Sequence, residues 1–167
     1  ESGVELAPVL CRKMLADVEA QVAQFLARRR QTLHIEVDPP DAVIPLDRGK
    51  MHDVIVNLVM NAIKFSPDGS TIEVSVRAPV NGQPAIIEVA DAGTGIAETD
   101  LPHVFEPFFS TFDTLHHSSG SFEYCKRGLG MGLAIVKKFV EMHGGTIKVQ
   151  PRDPRGTSFL IRLPSSP

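Results

Sequence analysis

Amide, carboxylate and ammonium side chains recur at helical spacing between residues 53 and 64. On a helix that advances roughly 100° per residue, one narrow strip is polar and comprises Asp53, Asn57, Asn61 and Lys64. The neighbouring strip is apolar and comprises Met51, Val54, Ile55, Leu58, Val59 and Ala62. Asparagine is a mediocre helix former, so two of them in one helix indicate a role other than helix propensity. Amides one turn apart, followed by a lysine, suit a hydrated Mg²⁺ and the phosphates that it bridges; an ordinary solvated face is the alternative.

A second candidate site is the segment Asp-Ala-Gly-Thr-Gly at residues 91–95, which follows an apolar strand pattern. A carboxylate at the end of a strand can accept a hydrogen bond from the exocyclic amine of a purine. Two glycines spaced by one residue let the backbone turn sharply and approach a flat ring. Tight-turn chemistry would explain the same residues equally well.

A third candidate is the segment Gly-Leu-Gly-Met-Gly at residues 128–132, which precedes an amphipathic helical pattern. Backbone amides that glycine leaves accessible at a helix N-terminus form an anion site. The segment lacks the Gly-x-Gly-x-x-Gly spacing of a dinucleotide fingerprint, and no strand leads into it. It also lacks the Gly-Lys-Ser/Thr ending of a P-loop, so a nucleotide would be held by a different fold.

The elements that would position these residues alternate between helix and strand. Helices are predicted at residues 8–30, from an N-cap at Asp47 to the turn at residues 66–69, and from Gly128 to about residue 143, with a short helical signal at residues 98–104. Strands are predicted at residues 33–37, 43–46, 71–77, 85–90, 146–150 and 158–163, with a hairpin turn at Asn81-Gly82. Residues 105–127 show no clear periodicity, which indicates either a functional lid or disorder.

Composition limits the class of protein. The chain has 167 residues, 43% of them hydrophobic and 22% charged, as in one soluble globular domain. A net charge of −3 without a dense basic run argues against nucleic-acid binding. Two widely spaced cysteines, Cys11 and Cys125, favour a reducing compartment. We find neither an apolar run of about 20 residues nor a signal peptide. The first residue is Glu1 rather than methionine, which indicates a piece of a longer protein.

Five segments in order carry a resemblance to a known family. They are Asn-Leu-Val-Met-Asn-Ala-Ile-Lys-Phe at 57–65, Asp-Ala-Gly-Thr-Gly-Ile at 91–96, Phe-Glu-Pro-Phe-Phe at 105–109, Gly-Leu-Gly-Met-Gly-Leu at 128–133 and Gly-Thr-Ser-Phe at 156–159. This order closely resembles the catalytic ATP-binding domain of bacterial sensor histidine kinases, in the GHKL superfamily shared with DNA gyrase B, Hsp90 and MutL.

The resemblance implies a two-layer α/β sandwich of the Bergerat type, with a mixed sheet backed by helices and a mobile ATP lid. Residues 1–30 would be an N-terminal helix leading from a dimerisation domain outside the sequence. Residues 31–163 would form the ATP-binding domain, with the lid at about 97–127, and residues 164–167 would be a frayed tail.

The resemblance also implies roles for individual residues. Asn61 would be the principal Mg²⁺ ligand, with Asn57 assisting and Lys64 meeting the phosphates of ATP. Asp91 would bind the adenine amino group. The remaining residues of the implied ATP site are Gly93, Gly95, Ile96 and Thr157 around the base, Phe105 and Phe108, with Phe109, in the lid, and Gly128, Leu129, Gly130, Met131, Gly132 and Leu133 at the phosphates.

The implied activity is transfer of the γ-phosphoryl group to a histidine on a separate helical dimerisation domain. The gyrase and Hsp90 branch carries a water-activating glutamate where this chain has Asn57, and an amide is no general base, so hydrolysis is disfavoured. The phosphoacceptor motif is absent from the sequence, and His143 is interpreted as part of a helix stop. A nucleotide-binding switch domain or an anti-sigma-type serine kinase is the alternative.

The implied partners are the dimerisation domain and, downstream, a response-regulator receiver domain. The parent protein would be a homodimer in the cytoplasm, either soluble or anchored in the inner membrane. This part of it would contact neither nucleic acid nor the membrane.

Overall fold

The computed structural model describes residues 3–107 and 123–164, and for residues 123–131 it describes the course of the helix alone. The strands are β1 (Ala7–Leu10), β2 (Thr32–Asp38), β3 (Val43–Leu46), β4 (Thr71–Arg77), β5 (Ala85–Asp91), β6 (Thr146–Pro151) and β7 (Thr157–Leu163). The helices are α1 (Cys11–Arg29), α2 (Arg48–Phe65) and α3 (Glu123–Met142).

Five of these strands form one mixed sheet in the order β2-β4-β5-β7-β6. Strands β2 and β4 run parallel, and the other neighbours run antiparallel. The three helices pack side by side on one face of this sheet, with α2 between α1 and α3. The predicted two-layer α/β sandwich is therefore confirmed.

Alternation along the strands directs apolar side chains to the helices. In β4, Ile72, Val74 and Val76 are at most 2% exposed and face the core, as period-two geometry requires. The predicted hairpin turn joins β4 to β5, and Asn81 and Gly82 adopt positive φ angles of 53° and 79°. The predicted strand positions are borne out to within one or two residues.

Helix α2 lies at the centre of the helical layer and follows the prediction closely. Asp47 is its N-cap, and the carboxylate accepts a hydrogen bond from the Lys50 N–H at 3.2 Å. All six residues of the predicted apolar strip are at most 2% exposed. Burial of each of the five larger side chains among them contributes about 1.5–3 kcal/mol to stability. The core thus fixes the rotation of α2 and, with it, the direction of the polar strip.

The C-terminal end of α2 is held by side chains from the last residue of α1 and from the segment that follows it. Arg29 donates from Nη1 to the Ile63 carbonyl at 2.9 Å and from Nη2 to the Ser66 carbonyl at 2.7 Å. Gln31 Nε2 also donates to the Ser66 carbonyl, at 3.1 Å. These bonds satisfy carbonyl groups that a helix end leaves without an internal partner. The last turn of α2 is therefore fixed in position.

The N-terminal prediction was wrong at its boundary. Residues Ala7–Leu10 form β1, which pairs antiparallel with β3, and α1 begins at Cys11 rather than at Pro8. The pairing buries Val9, which is 4% exposed, and the Cys11 N–H donates to the Ala42 carbonyl at 3.0 Å. Strand pairing and burial outweigh the helical pattern here, and Pro8 has no N–H to lose in a short two-stranded sheet.

Helix α3 also begins earlier than predicted, at Glu123 rather than at Gly128. Residues 123–127 contain neither glycine nor proline, so no breaker limits the helix on that side. Gly128, Gly130 and Gly132 consequently lie inside the helix instead of opening it. The helical signal at residues 98–104 is a single 3₁₀ turn, Leu101–His103. Over the described ranges, none of the helices has the length and apolar character needed to span a bilayer.

Candidate nucleotide-binding site

The polar strip predicted on α2 exists in the structure. Asp53 is exposed, Asn57 and Asn61 are half-buried, and Lys64 is 9% exposed. The Asn57 amide donates from Nδ2 to the Asp53 carbonyl at 2.8 Å. The strip therefore runs from solvent at Asp53 to a nearly buried ammonium in the last turn of the helix.

The carbonyl oxygen of the Asn57 side chain faces α3. A Cβ atom added at Gly132 would lie 2.9 Å from Asn57 Oδ1, which is closer than Cβ atoms normally approach. Gly132 thus leaves the space that this amide oxygen occupies. The structure brings together these two predicted site residues, one from each of two packed helices.

Lys64 lies beside the ring of its neighbour in sequence. Its Nζ is 5.8 Å from the centre of the Phe65 ring, within the range of a cation–π interaction. A cation in the last turn of a helix is also favoured by the helix dipole. The ammonium is therefore kept at the C-terminal end of α2, one turn beyond Asn61.

Asp91 ends β5 and is buried. It is 6% exposed, and its Oδ1 accepts a hydrogen bond from the Gly93 N–H at 2.7 Å. Burial is the largest influence on the carboxyl group and raises the pKa of Asp91 above its ordinary value. The N–H groups of Gly93 and Thr157, followed by the Arg152 guanidinium, lower the pKa by smaller amounts. A buried acceptor of this kind discriminates strongly between ligands that donate to it and ligands that do not.

The loop after Asp91 is packed directly on the end of α2. A Cβ at Gly93 would lie 2.3 Å from the Phe65 carbonyl oxygen, so no other residue fits without moving backbone. The Thr94 N–H donates to that same carbonyl oxygen at 3.3 Å. These contacts join the Asp91 segment to the helix that carries Asn57, Asn61 and Lys64.

Strand β7 closes the site on the other side of Asp91. Thr157 pairs with Asp91 in the sheet and is 5% exposed. The preceding Gly156 has a φ of 116°, and a Cβ there would lie 2.0 Å from the Asp91 carbonyl oxygen. The segment 156–159 therefore needs glycine at position 156, because its backbone approaches the Asp91 backbone closely there. The same approach places Thr157 beside Asp91.

The aromatic segment is described in part. Phe105 packs edge to face on Phe159 of β7, with ring centroids 6.1 Å apart. Ile96 and Leu133 are partly buried against the same core. The predicted residues Phe108 and Phe109 lie outside the described residues. For Gly128, Leu129, Gly130 and Met131, the description is limited to their place in α3.

His143 proves to be a structural link, as predicted. Its Nδ1 bonds to the Phe139 carbonyl at 2.8 Å, and its Nε2 accepts from the Asp47 N–H at 3.0 Å. It therefore ties the end of α3 to the start of α2. Sequence reasoning missed Arg152 and Arg155, which bond to the Asp91 segment from about 60 residues away. Local sequence patterns carry no signal for contacts over that separation.

Comparison with known proteins agrees with this geometry. Residues 46–167 match the family model described as histidine kinase-, DNA gyrase B- and HSP90-like ATPase. The sensor protein KdpD of Clostridium acetobutylicum is 34% identical over 91% of this chain, which spans 16% of that protein. The sensor histidine kinase YclK of Bacillus subtilis is 31% identical over 88% of this chain, which spans 29% of it. The chain thus spans less than a third of these two relatives.

Solved structures show the same fold. The catalytic domain of histidine kinase ThkA superposes with a TM-score of 0.80 at 23% identity, covering 97% of both chains. The mycobacterial sensor histidine kinase MprB gives 0.74 at 26% identity, covering 96% of this chain and 97% of that one. The family match bears out the resemblance drawn from the five sequence segments. This chain belongs to the family of histidine kinase-, DNA gyrase B- and HSP90-like ATPases.

Proposed function

We propose that this chain is the ATP-binding catalytic domain of a two-component sensor histidine kinase. It binds Mg-ATP and delivers the γ-phosphoryl group to a histidine on a separate helical dimerisation domain. One observation supports this most strongly: the Phe65 carbonyl at the end of α2 contacts Gly93 and accepts from the Thr94 N–H. The Asp91 carboxylate, which suits a purine, and the polar strip of α2, which suits phosphates, therefore belong to one continuous site.

In this proposal Asp91 selects the base. Its carboxylate accepts a hydrogen bond from the adenine amino group, and Thr157, Gly93 and Gly95 border the ring, with Ile96 on the apolar side. Asp91 is 6% exposed. A base that cannot donate would therefore leave a buried acceptor unmatched, which costs roughly 1–3 kcal/mol.

The residues of the α2 strip fit a magnesium-bound triphosphate. Amide oxygens and an ammonium are suitable donors and counter-charges, because Mg²⁺ takes oxygen ligands and usually shares them with phosphates. Asn61 would be the metal ligand, Asn57 would assist, and Lys64 would neutralise phosphate charge. The bound metal would supply charge neutralisation at the phosphates. Half-burial of both amides limits competition from water.

Segment 128–133 is proposed to contact the phosphates. Gly128, Gly130 and Gly132 destabilise a helix by about 1 kcal/mol each relative to alanine. They therefore lower the free energy needed to release backbone N–H groups of Leu129 and its neighbours for an anion. Phe105, packed on Phe159, is proposed to anchor the lid, together with Phe108.

Transfer is favoured over hydrolysis because this chain has an amide at the position where the gyrase and Hsp90 branch carries its water-activating glutamate. Asn57 carries an amide, which does not accept a proton at neutral pH. The attacking group is instead an imidazole nitrogen of the dimerisation domain. It forms the new P–N bond as the bond from the γ-phosphorus to the β–γ bridging oxygen breaks, ADP leaves, and the imidazole proton passes to solvent. Positioning supplies most of the acceleration in such reactions.

The partners follow from this role. They are the dimerisation domain of the same kinase, which makes the parent a homodimer, and downstream the receiver domain of a response regulator. A complex of histidine kinase ThkA with the response regulator protein TrrA is among the solved structures of this fold. We place this domain in the cytoplasm, where ATP is available. Relatives such as YclK and TmoS are named as sensor histidine kinases, so they do not favour the switch alternative.

Calorimetric titration with ADP, in the presence and absence of Mg²⁺, tests the proposal. We expect binding that strengthens with Mg²⁺ and an Asn61→Ala variant that folds normally but loses the Mg²⁺-dependent part of the affinity. Asp41→Asn, at an exposed position, is the control and should bind like the parent chain. Absence of binding by the parent chain would contradict the proposed function, and equal binding of ADP and GDP would contradict the role of Asp91.

A further inference from the structure

The turn between β6 and β7 reaches across the sheet to the Asp91 segment. Arg152 Nη1 donates to the Asp91 carbonyl at 2.9 Å, and Arg155 Nε donates to the Gly93 carbonyl at 3.0 Å. The Arg152 N–H also donates to the Gly156 carbonyl at 3.1 Å, which closes the turn. Two guanidinium groups of one turn thus hold two carbonyls that flank Ala92.

The Asp91 segment is also constrained by a hydrogen bond within itself. Asp91 Oδ1 accepts from the Gly93 N–H at 2.7 Å, so the side chain and the loop backbone move together. Any rotation of the loop therefore turns the carboxylate. Hydrogen bonds in which the donor is charged are roughly twice as strong as neutral ones, so the two arginines resist this rotation effectively.

Arg152 is itself anchored. Its Nη2 lies 3.5 Å from the Glu73 carboxylate of β4, on the far side of β5 from the turn. Arg152 directs Nη1 at a backbone carbonyl and Nη2 at Glu73, and Arg155 directs Nε at a backbone carbonyl. A surface arginine can serve solubility alone, but that role does not explain two guanidinium groups bonded to carbonyls two residues apart.

We propose that Arg152 and Arg155 are positioning residues that set base selectivity by fixing the orientation of the Asp91 carboxylate. The inference rests on the proposed function, because it concerns the same nucleotide site. With the loop fixed, the carboxylate meets an adenine amino group but not the carbonyl that guanine presents at the equivalent position. With the loop loosened, the carboxylate must first be ordered before it can bond to adenine, so ADP loses affinity. GDP makes no bond to the carboxylate and is not affected in this way.

Two substitutions at Arg155 separate the hydrogen bond from the rest of the side chain. Arg155→Met removes the donor and keeps most of the apolar stem. Arg155→Gln keeps an N–H donor on the atom bonded to Cδ, which is where the Arg155 Nε stands. Arg162→Met is the matched control, because Arg162 lies in β7 on the helix-free face of the sheet. Arg152→Lys and Arg152→Met extend the test to the second guanidinium.

The measurement is calorimetry of the whole chain with Mg-ADP and Mg-GDP, alongside thermal unfolding. Loss of one net hydrogen bond corresponds to roughly a 2- to 12-fold change in a binding constant. We expect Arg155→Met to weaken ADP binding by about that factor, leave GDP binding nearly unchanged, and so lower the ADP/GDP ratio. Arg155→Gln should retain most of the ratio, and Arg162→Met should retain all of it.

The outcomes are distinguishable. If the parent chain prefers ADP and Arg155→Met keeps the same ADP/GDP ratio, the positioning role is overturned while the proposed function stands. Equal loss in the Met and Gln variants would also overturn it, because the donor would then not matter. If the parent chain binds neither nucleotide, the proposed function fails and this inference fails with it.

Discussion

At the scale of single residues, Asp91 combines a requirement of binding with a cost to stability. It is 6% exposed, and its burial raises the pKa of the carboxyl group. A raised pKa in the folded state means that the native chain holds the proton more tightly than the unfolded chain does. The corresponding stabilisation is complete below the ordinary value of 3.8 and is lost as the pH rises through the raised value. At neutral pH the charged carboxylate is therefore unfavourable for the empty fold.

Asp91→Asn should thus stabilise the nucleotide-free chain at pH 7 and abolish its preference for adenine. The amide keeps an oxygen to accept from the Gly93 N–H but removes the buried charge. A gain of about 1 kcal/mol would raise the melting temperature by roughly 2–4 °C in a domain of this size. Thermal unfolding at pH 7 and at pH 4 checks this, since the gain should shrink at the lower pH.

The control for that experiment is Asp41→Asn, at an exposed position after the β2 strand. It should change neither the melting temperature nor ADP binding. An Asp91→Asn variant that is less stable than the parent chain at pH 7 would contradict the burial argument.

At the scale of elements, the contact between α2 and α3 couples the two halves of the site. A Cβ at Gly132 would meet Asn57 Oδ1 at 2.9 Å, and that atom is the far end of a side chain rather than backbone. The side chain can move at little cost to the fold. The structural consequence of a larger residue at Gly132 is therefore displacement of the Asn57 amide.

Gly132→Ala should leave the chain folded and weaken its Mg²⁺-dependent affinity for ADP, by about 10-fold if one ligand contact worth roughly 1.4 kcal/mol is lost. Gly49→Ala is the matched control, because a Cβ there would meet Asp47 Oδ1 at an ordinary 3.9 Å. Both substitutions remove a helical glycine, so both gain helix propensity. Calorimetry and thermal unfolding of the pair separate the two effects, and unchanged affinity in Gly132→Ala would refute the coupling.

At the scale of the whole molecule, the sheet and helices form a core that supports the site without belonging to it. Ile161 of β7 is fully buried, whereas its neighbour Leu160 faces the helix-free side of the sheet and is half-buried. Changes in that core should alter stability but not nucleotide recognition. Nucleotide binding, in turn, should stabilise the fold by mass action alone.

Ile161→Ala should lower the free energy of unfolding by about 2–5 kcal/mol, since it opens a cavity in a packed core. Leu160→Ala, one residue away, should cost clearly less. Mg-ADP at about 100 times its dissociation constant should add roughly 2.7 kcal/mol to the parent chain and to both variants alike. Chemical denaturation with and without nucleotide measures this, and a variant that lost affinity would show that the core does shape the site.

The central helix and the hairpin could be predicted because their signals are local. A 3.6-residue period and the Asp47 cap fixed α2, and period-two alternation with Asn81-Gly82 fixed β4 and β5. The chemistry of the α2 strip and of Asp91 could be predicted equally well, because it depends on which side chains are hydrogen-bond donors and acceptors. The order of the five segments was also sufficient to identify the family.

Tertiary structure decided what depends on distant partners. Residues Ala7–Leu10 form a strand because β3 pairs with them across some 35 residues, which a helical pattern cannot reveal. The Gly93 contact with Phe65 and the bonds from Arg152 and Arg155 arise only when α2, β5 and the β6–β7 turn meet. The sequence by itself therefore determined which groups could act, because that is a property of side chains and local periodicity. Their assembly into one site was settled by packing and hydrogen bonds between segments far apart in the chain.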